Sequence, residues 1–487
     1  MVYIIGAGPG DEELLTLKAI KALKRCTAVL YDRLISNNIL NYLDENCQVY
    51  YCGKEPGNHY KTQDEINEMI VKLAKDGHVV GRIKGGDPYV FGRGGEEALA
   101  LVHEGIEFQV IPGVTSPISV LNYAGIPITY RNIAQSFHII TGMTGDTSNI
   151  NYKALSQENG TLVFMMGLSN LNNIVKNLIN NGKDINTKVA VIMQGTTAKQ
   201  KKVEGTLKNI VEKVELSALT SPCIIVIGEV VRFSKELCWY EKLPLFGVNI
   251  CITRSRKQSV SLKEKLVDLG AEVTEFNSIK IQDMSHNFEE YLDRLKEYNH
   301  ILFTSANGVN TFFDYLLKKQ YDIRNIKANF YVIGNATSKA LMNRGIIPKI
   351  VAKEFHSDSL LNDIKTHVRP KDKLFYLTSA KAQNNISQEL SNSGIIVDKI
   401  PIYDTVCGKI INSKSFEKVD VVFFTSPSTV RNMITLVGVN KIKEKKVIAI
   451  GPITLKELEN NNINAIMCKK HSEEGFLEDI VNLIKEV

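Results

Sequence analysis

Short runs of β-branched and apolar residues alternate with helical patterns along almost the whole chain, and this constrains the fold more than any other feature. Val2–Ile5 is followed by Leu14–Lys24 and then Ala28–Tyr31; far downstream, Ile250–Thr253 is followed by Val260–Leu269 and then Glu272–Phe276. Strands that run the same way need a crossover, most often a helix, so the pattern predicts an α/β fold with helices packed on largely parallel sheets. A chain of 487 residues is too long for one such layer, at roughly 100–200 residues per domain. The segment Trp239–Gly247, with Pro244 and Gly247 between two strand-rich regions, makes the best boundary. Two domains follow, residues 1–245 and 246–487.

The second half repeats itself. Ile252-Thr-Arg-Ser255 returns as Leu377-Thr-Ser-Ala380, Phe303-Thr-Ser-Ala-Asn-Gly-Val309 as Phe424-Thr-Ser-Pro-Ser-Thr-Val430, and Val332-Ile-Gly-Asn-Ala-Thr337 as Ala449-Ile-Gly-Pro-Ile-Thr454. Each element has a partner at a nearly constant offset, which predicts two similar lobes. Each motif is an apolar strand ending in Thr, Ser or Gly just before a helix. A hydroxyl there caps the helix, and the exposed amides and positive dipole end can hold a carboxylate. For any single threonine a plain cap is the simpler reading. Six such ends around one cleft favour a polyanionic ligand, because open α/β sheets bind ligands beyond the carboxyl ends of their strands.

Composition narrows the class further. With 44% hydrophobic and 23% charged residues the chain reads as an ordinary folded protein, not a disordered or fibrous one. No apolar run approaches the ~20 residues that cross a bilayer; the best, Cys223–Val231, is interrupted by Gly228 and Glu229. Met1–Ile5 lacks a basic leader and reads as a first strand, so a cytoplasmic location is expected. The 8 cysteines form no C-x-x-C pair and the 9 histidines no H-E-x-x-H, so no metal is expected. A net charge of +6, from 59 basic and 53 acidic residues, suits an anionic small molecule better than nucleic acid.

Two glycine-rich loops carry the chemistry of the first half. Gly6-Ala-Gly-Pro-Gly-Asp11 follows a strand and precedes a helix for which Thr16 is a cap. A dinucleotide site is one reading, with Asp32 at the end of the second strand as ribose ligand. The fingerprint fails at Asp11, which replaces the third glycine, and Pro9 removes a backbone donor. The stretch Arg82-Ile-Lys-Gly-Gly-Asp-Pro-Tyr-Val-Phe-Gly-Arg-Gly-Gly-Glu-Glu97 is denser in glycine than a surface loop needs. It predicts backbone approaching a ligand closely before a helix resumes at Glu96.

Together Gly6–Lys18, Leu30–Leu34, Arg82–Glu97, Ile111-Pro-Gly-Val-Thr-Ser116 and Gly125-Ile-Pro-Ile-Thr129 closely resemble the uroporphyrinogen-III C-methyltransferases of the tetrapyrrole methylase family, over nearly all of residues 1–240. The repeated motifs of residues 248–487 resemble uroporphyrinogen-III synthase, whose pattern is more diffuse. The resemblance implies two α/β subdomains in the first half and a bilobal second half with flavodoxin-like lobes. One lobe is about 246–281 plus 403–487, the other about 282–402. It also implies a bifunctional enzyme that cyclises hydroxymethylbilane with inversion of the last ring, then adds two methyl groups from S-adenosylmethionine to give precorrin-2.

By the same resemblance, Pro9, Gly85, Gly86, Asp87, Val90, Thr115, Ser116, Met166 and Gly195 would hold S-adenosylmethionine, while Asp32 matches the family's proton acceptor and Lys54 its donor. Without the family, these two would read as a turn carboxylate and a solvated lysine. Arg33, Arg82, Lys84, Arg93 and Arg131 are candidates for the substrate's eight carboxylates, since arginine forks suit them; surface salt bridges are the alternative. In the second half Tyr403 matches a tyrosine that assists departure of hydroxide, or else packs near a hinge. Thr253, Arg254, Thr304, Ser305, Thr337, Ser379, Thr425, Ser426 and Thr454 are cleft candidates. A homodimer through the methyltransferase half is expected from the family.

Three positions depart from the family pattern: Met143 and Tyr130 replace histidines, and Met165 a tyrosine. The departures leave the glycine loops of the adenosyl site untouched. Two other classes compete: a nicotinamide-dependent oxidoreductase, which would bind a reduced dinucleotide, and a second half that is only a two-lobed binding module, which would not accelerate formation of the inverted isomer.

Overall fold

A computed structural model of the chain describes residues 1–53, 61–143, 150–254, 256–352, 364, 366–382, 385–408 and 413–485. They form two compact units, residues 1–276 with 410–487, and residues 277–409.

The larger unit contains three sheets. Strands β1 (Val2–Gly6), β2 (Ala28–Tyr31), β3 (Gln48–Tyr51), β4 (Val80–Lys84) and β5 (Phe108–Ile111) pair in the order β3-β2-β4-β1-β5, all parallel. Strands β1, β2 and β4 are buried along their whole length, as expected of a parallel sheet covered on both faces. The covering helices are legible in sequence. Gln63–Lys75 begins at Thr62, whose hydroxyl accepts from the Glu65 amide at 3.2 Å while the Glu65 carboxylate accepts from the Thr62 amide at 2.6 Å. This capping box satisfies two otherwise orphaned donors. Its buried stripe, Ile66, Ile70 and Leu73, falls at helical spacing, and each such side chain contributes about 1.5–3 kcal/mol of burial.

The second sheet corrects the expectation of largely parallel pairing. Strands β6 (Phe137–Thr141), β7 (Thr161–Met165), β8 (Lys188–Met193), β9 (Lys201–Thr206) and β10 (Cys223–Ile227) run β6-β7-β10-β8-β9, and only β6 and β7 are parallel. The cause is connection length: residues 194–200 alone join β8 to β9, too short for a crossover.

Next come β11 (Asn249–Ile252) and β12 (Glu272–Glu275), after which the chain enters the smaller unit. There β13 (Ile279–Asp283), β14 (His300–Phe303), β15 (Asn329–Ile333), β16 (Ile350–Ala352), β17 (Lys373–Ser379) and β18 (Ile396–Cys407) pair as β13-β18-β17-β14-β15-β16. Only β13 is antiparallel. Because β13 and β18 pair, residues 279–281 and 403–407 belong to this unit's sheet. A nest of Phe288, Phe303, Phe312 and Phe375, with ring centroids 5.2–5.6 Å apart, fills its core.

Back in the larger unit, β19 (Val421–Phe424), β20 (Lys446–Ala449) and β21 (Ile466–Met467) complete the parallel sheet β12-β11-β19-β20-β21. This sheet docks on the first one. Lys263, in the helix Arg256–Asp268, pairs with Glu12 and, at 2.8 Å, with Glu275; the Asn38 amide donates to the Val273 carbonyl at 2.5 Å. No helix among the described residues is long and apolar enough to cross a membrane.

Candidate active sites

In the first sheet β1 and β4 are neighbours whose following helices cover opposite faces. Leu17–Leu23 packs with Ile5 and Ile83, Gly94–His103 with Val2, Ile4 and Val80. Such a switch point opens a crevice beyond the strand ends, and both glycine loops lie there. The Gly86 amide donates to the Gly8 carbonyl at 2.6 Å, with φ of +67° and +74° at the two residues. A third glycine arrives after β5: a Cβ on Gly6 would collide with the Gly113 backbone, and one on Gly113 with the Gly86 carbonyl. Only glycine fits where three backbones meet.

Asp87 ties these loops together. One carboxylate oxygen accepts from the Tyr89 amide at 2.8 Å and the other from Gly113 at 3.1 Å; each keeps a lone pair for a ligand. The Val90 amide donates to the Asp87 carbonyl at 3.3 Å, and Pro9 stands between Gly8 and Gly10 in the facing loop. A Cβ on Gly86 would lie 3.8 Å from the Ser116 amide. Ser116–Tyr123 is a helix whose N-cap, Thr115, makes no side-chain cap bond; its carbonyl accepts from the Ile118 and Ser119 amides, both at 3.2 Å. Gly195 packs against Val120 of that helix, and Gly10 against Thr196 and Thr197. Met166 stands at the end of β7, left-handed at φ +54° and half exposed. A cradle of bare backbone and one carboxylate fits a flat polar ligand such as a nucleoside.

The predicted anion-binding basic residues divide. Arg82 and Lys84 do not open onto solvent. They lie two apart on β4, hence on one face, and both meet the Glu97 carboxylate from the helix Gly94–His103 at 2.8 Å. Arg82 also donates to the Asp32 carboxylate at 2.7 Å and to the Ile83 carbonyl at 3.2 Å. The structure thus places them against the internal carboxylates Glu97 and Asp32, not at the surface expected of partners for substrate carboxylates. Burial works against the Arg82 charge, but Glu97 and Asp32 more than offset it and raise its pKa; Lys84 is pushed down by burial and by the Arg82 charge, against the pull of Glu97.

Arg33, Arg93 and Arg131 are exposed. Arg93 forms a fork with Glu96, at 2.8 and 2.6 Å, an exposed pair weak enough to exchange for a ligand. Lys54 lies outside the described residues. Of the departures, Tyr130 stacks on Phe233 at 4.4 Å, Met143 is exposed and Met165 closes β7. Asp11 caps the turn Glu12–Leu14 and accepts from the Tyr123 hydroxyl at 2.8 Å. Sequence reasoning missed Glu97 and Gly113. The signals were a basic pair at strand spacing, Pro-Gly after a strand, and a glutamate one turn into the next helix.

The repeated strand ends of the second half also divide. In the larger unit, β11 and β19 are the switch-point neighbours. Ser426 caps Pro427–Val437, accepting from the Thr429 amide at 3.4 Å. Thr253 instead donates to the Phe423 carbonyl at 2.9 Å. Arg254 is held by the Thr425 hydroxyl at 3.0 Å and Glu473 at 2.8 Å. In the smaller unit the corresponding neighbours are β14 and β17. Ser305, next to half-buried Thr304, caps Ala306–Lys318 through the Gly308 amide at 3.1 Å and shares a 2.7 Å hydrogen bond with the Tyr403 hydroxyl. Ser379 bonds the same hydroxyl. Burial raises the Tyr403 pKa although both serines oppose it. Thr337 and Thr454, expected among the cleft residues, are the third residue of their helices, Asn335–Met342 and Pro452–Asn460, and are buried.

Comparison with known proteins follows the same division. Residues 1–211 match the model of the tetrapyrrole (corrin/porphyrin) methylases, and residues 260–478 that of uroporphyrinogen-III synthase HemD. The chain is 34% identical over 493 aligned positions to the porphyrin biosynthesis protein HemD of Ruminiclostridium josui, spanning 99% of this chain and 98% of that one. A uroporphyrinogen-III C-methyltransferase of Bacillus subtilis is 41% identical over 71% of this chain and 72% of its own length. One from Methanocaldococcus jannaschii is 48% identical over 47% of this chain and 96% of its own.

Proposed function

The chain belongs to the tetrapyrrole methylase family in its first half and the uroporphyrinogen-III synthase family in its second, and from that premise we propose that it is a bifunctional enzyme of tetrapyrrole biosynthesis. It closes hydroxymethylbilane to uroporphyrinogen III, then methylates that product twice to precorrin-2. The observation that carries this reading is the alignment with the R. josui protein over 99% of the chain.

The methyl donor is S-adenosylmethionine, whose sulfonium supplies an activated methyl. Pro9, Gly85, Gly86, Asp87, Val90, Thr115, Ser116, Met166 and Gly195 would hold it, with Asp87 accepting from the ribose or the ammonium and the glycines admitting the nucleoside against bare backbone. Arg33, Arg93 and Arg131 would pair with carboxylates of the macrocycle. Holding the reacting atoms in line supplies most of the rate in such a transfer. Asp32, one oxygen held by Arg82, uses the other to take the proton that the methylated ring releases, and Lys54 is the donor.

In the second half the Tyr403 phenol, whose pKa burial raises, donates to the departing hydroxyl of hydroxymethylbilane so that water leaves. Thr253, Arg254, Thr304, Ser305, Ser379, Thr425 and Ser426 would position acetate and propionate groups at the strand ends. The protein acts in the cytoplasm, as a homodimer through its methylase half.

Incubation with hydroxymethylbilane and labelled S-adenosylmethionine tests both claims. Label is expected in a dimethylated tetrapyrrole and, without the methyl donor, the inverted isomer should outrun the spontaneous one. An unlabelled macrocycle refutes the transferase; formation of the spontaneous isomer alone refutes the synthase.

A further inference from the structure

Behind the crevice of the first half lies a chain of four charges that the reading above uses only at its outer end. Asp32 is the exposed member, with its side chain 30% accessible; Arg82, Lys84 and Glu97 are at 3%, 5% and 0%. The contacts run Lys84 to Glu97 to Arg82 to Asp32, at 2.8, 2.8 and 2.7 Å. Two cations and two carboxylates cancel. Glu97 is shared: its Oε1 accepts from both cations and from the Gln63 amide at 3.3 Å, while its Oε2 is buried with no hydrogen-bond partner among the described residues. A fully buried carboxylate persists only where its surroundings compensate it. Here compensation also fixes which way the Arg82 fork points, because its Nε goes to Glu97 and a terminal nitrogen to Asp32.

We propose that Glu97 is a positioning residue for methyl transfer: by neutralising Lys84 and anchoring Arg82 it holds Asp32 where the ring proton is released. This rests on the assignment of Asp32 as proton acceptor. Without Glu97, two buried cations would compete for the one remaining carboxylate, and Asp32 would be drawn inward. Fixed geometry at a reacting centre is worth about a hundredfold per ångström of misplacement, so the loss should fall on turnover and not on substrate affinity.

The test uses the full chain with uroporphyrinogen III and labelled S-adenosylmethionine. Glu97→Gln keeps the shape and removes the charge; kcat for methyl transfer should fall by about tenfold to a hundredfold while both KM values stay close to wild type. The double variant Glu97→Gln with Lys84→Met restores a balance of one cation and one carboxylate and should recover most of the lost kcat. Isomer formation from hydroxymethylbilane by the same samples reports that the chain is folded. Wild-type kcat in the single variant overturns the inference, and so does a double variant as slow as the single, which would mark a packing role. A wild-type chain that transfers no methyl removes the underlying assignment itself; an Asp32→Asn variant of full activity removes the Asp32 role alone.

Discussion

Tyr403 shows how a residue's chemistry is set by its surroundings. Its ring is 6% exposed and its hydroxyl touches two serines, Ser305 and Ser379. Tyr403→Phe should slow isomer formation by about a hundredfold, the low end of what a positioned proton donor contributes, about 10²–10⁴-fold, while methyl transfer is unchanged. Rates of the two reactions in one sample check this. The pH dependence has a definite sign. A phenol whose pKa is raised by burial holds its proton longer folded than unfolded, so its stabilisation is present below about 10, its ordinary value, and is lost as pH rises above that. The stability difference between wild type and Tyr403→Phe, measured by denaturant at pH 9 and pH 11, should shrink at the higher pH.

Secondary elements were the most legible part of the chain. Expected strands at Val2–Ile5, Ala28–Tyr31 and Ile250–Thr253 match β1, β2 and β11 to within a residue, because period and β-branching are local properties. The repeated Thr-Ser pairs also told truly of helix starts at Ser305 and Ser426. Ser426→Ala should cost about 1 kcal/mol, read as a lowered denaturant midpoint with an unchanged slope. Legibility ended where a side chain's partner came from elsewhere in the chain. Arg82 and Lys84 looked available for a ligand because sequence shows their spacing but not Glu97 packed across from them. Thr337 and Thr454 looked like residues at a helix start, but the glycines before them, Gly334 and Gly451, are the N-cap residues, and both threonines lie one turn in. The antiparallel pairing of the second sheet was hidden for a similar reason, since loop length decides direction and hydrophobic pattern does not.

At the scale of the molecule, the junction between the methylase half and the β11 sheet depends on one buried cation. Glu12 and Glu275 have side chains 9% and 3% exposed, and Lys263 between them is 12% exposed. Burial works against the lysine's charge, but the two carboxylates outweigh it and raise its pKa. Lys263→Met would leave both carboxylates buried and uncompensated, at a cost of about 3–5 kcal/mol. The expected result is a lower melting temperature for the unit they share, recovered in part when Glu12→Gln and Glu275→Gln are added; a melting temperature equal to wild type would show that the junction does not depend on this pair.

The unit that carries Tyr403 departs after Phe276 and rejoins at Ile410, so both of its covalent seams fall between β12 and β19. A cassette bounded in this way can be lost, or grafted from a relative, as a single uninterrupted stretch of gene without severing a strand of the other three sheets.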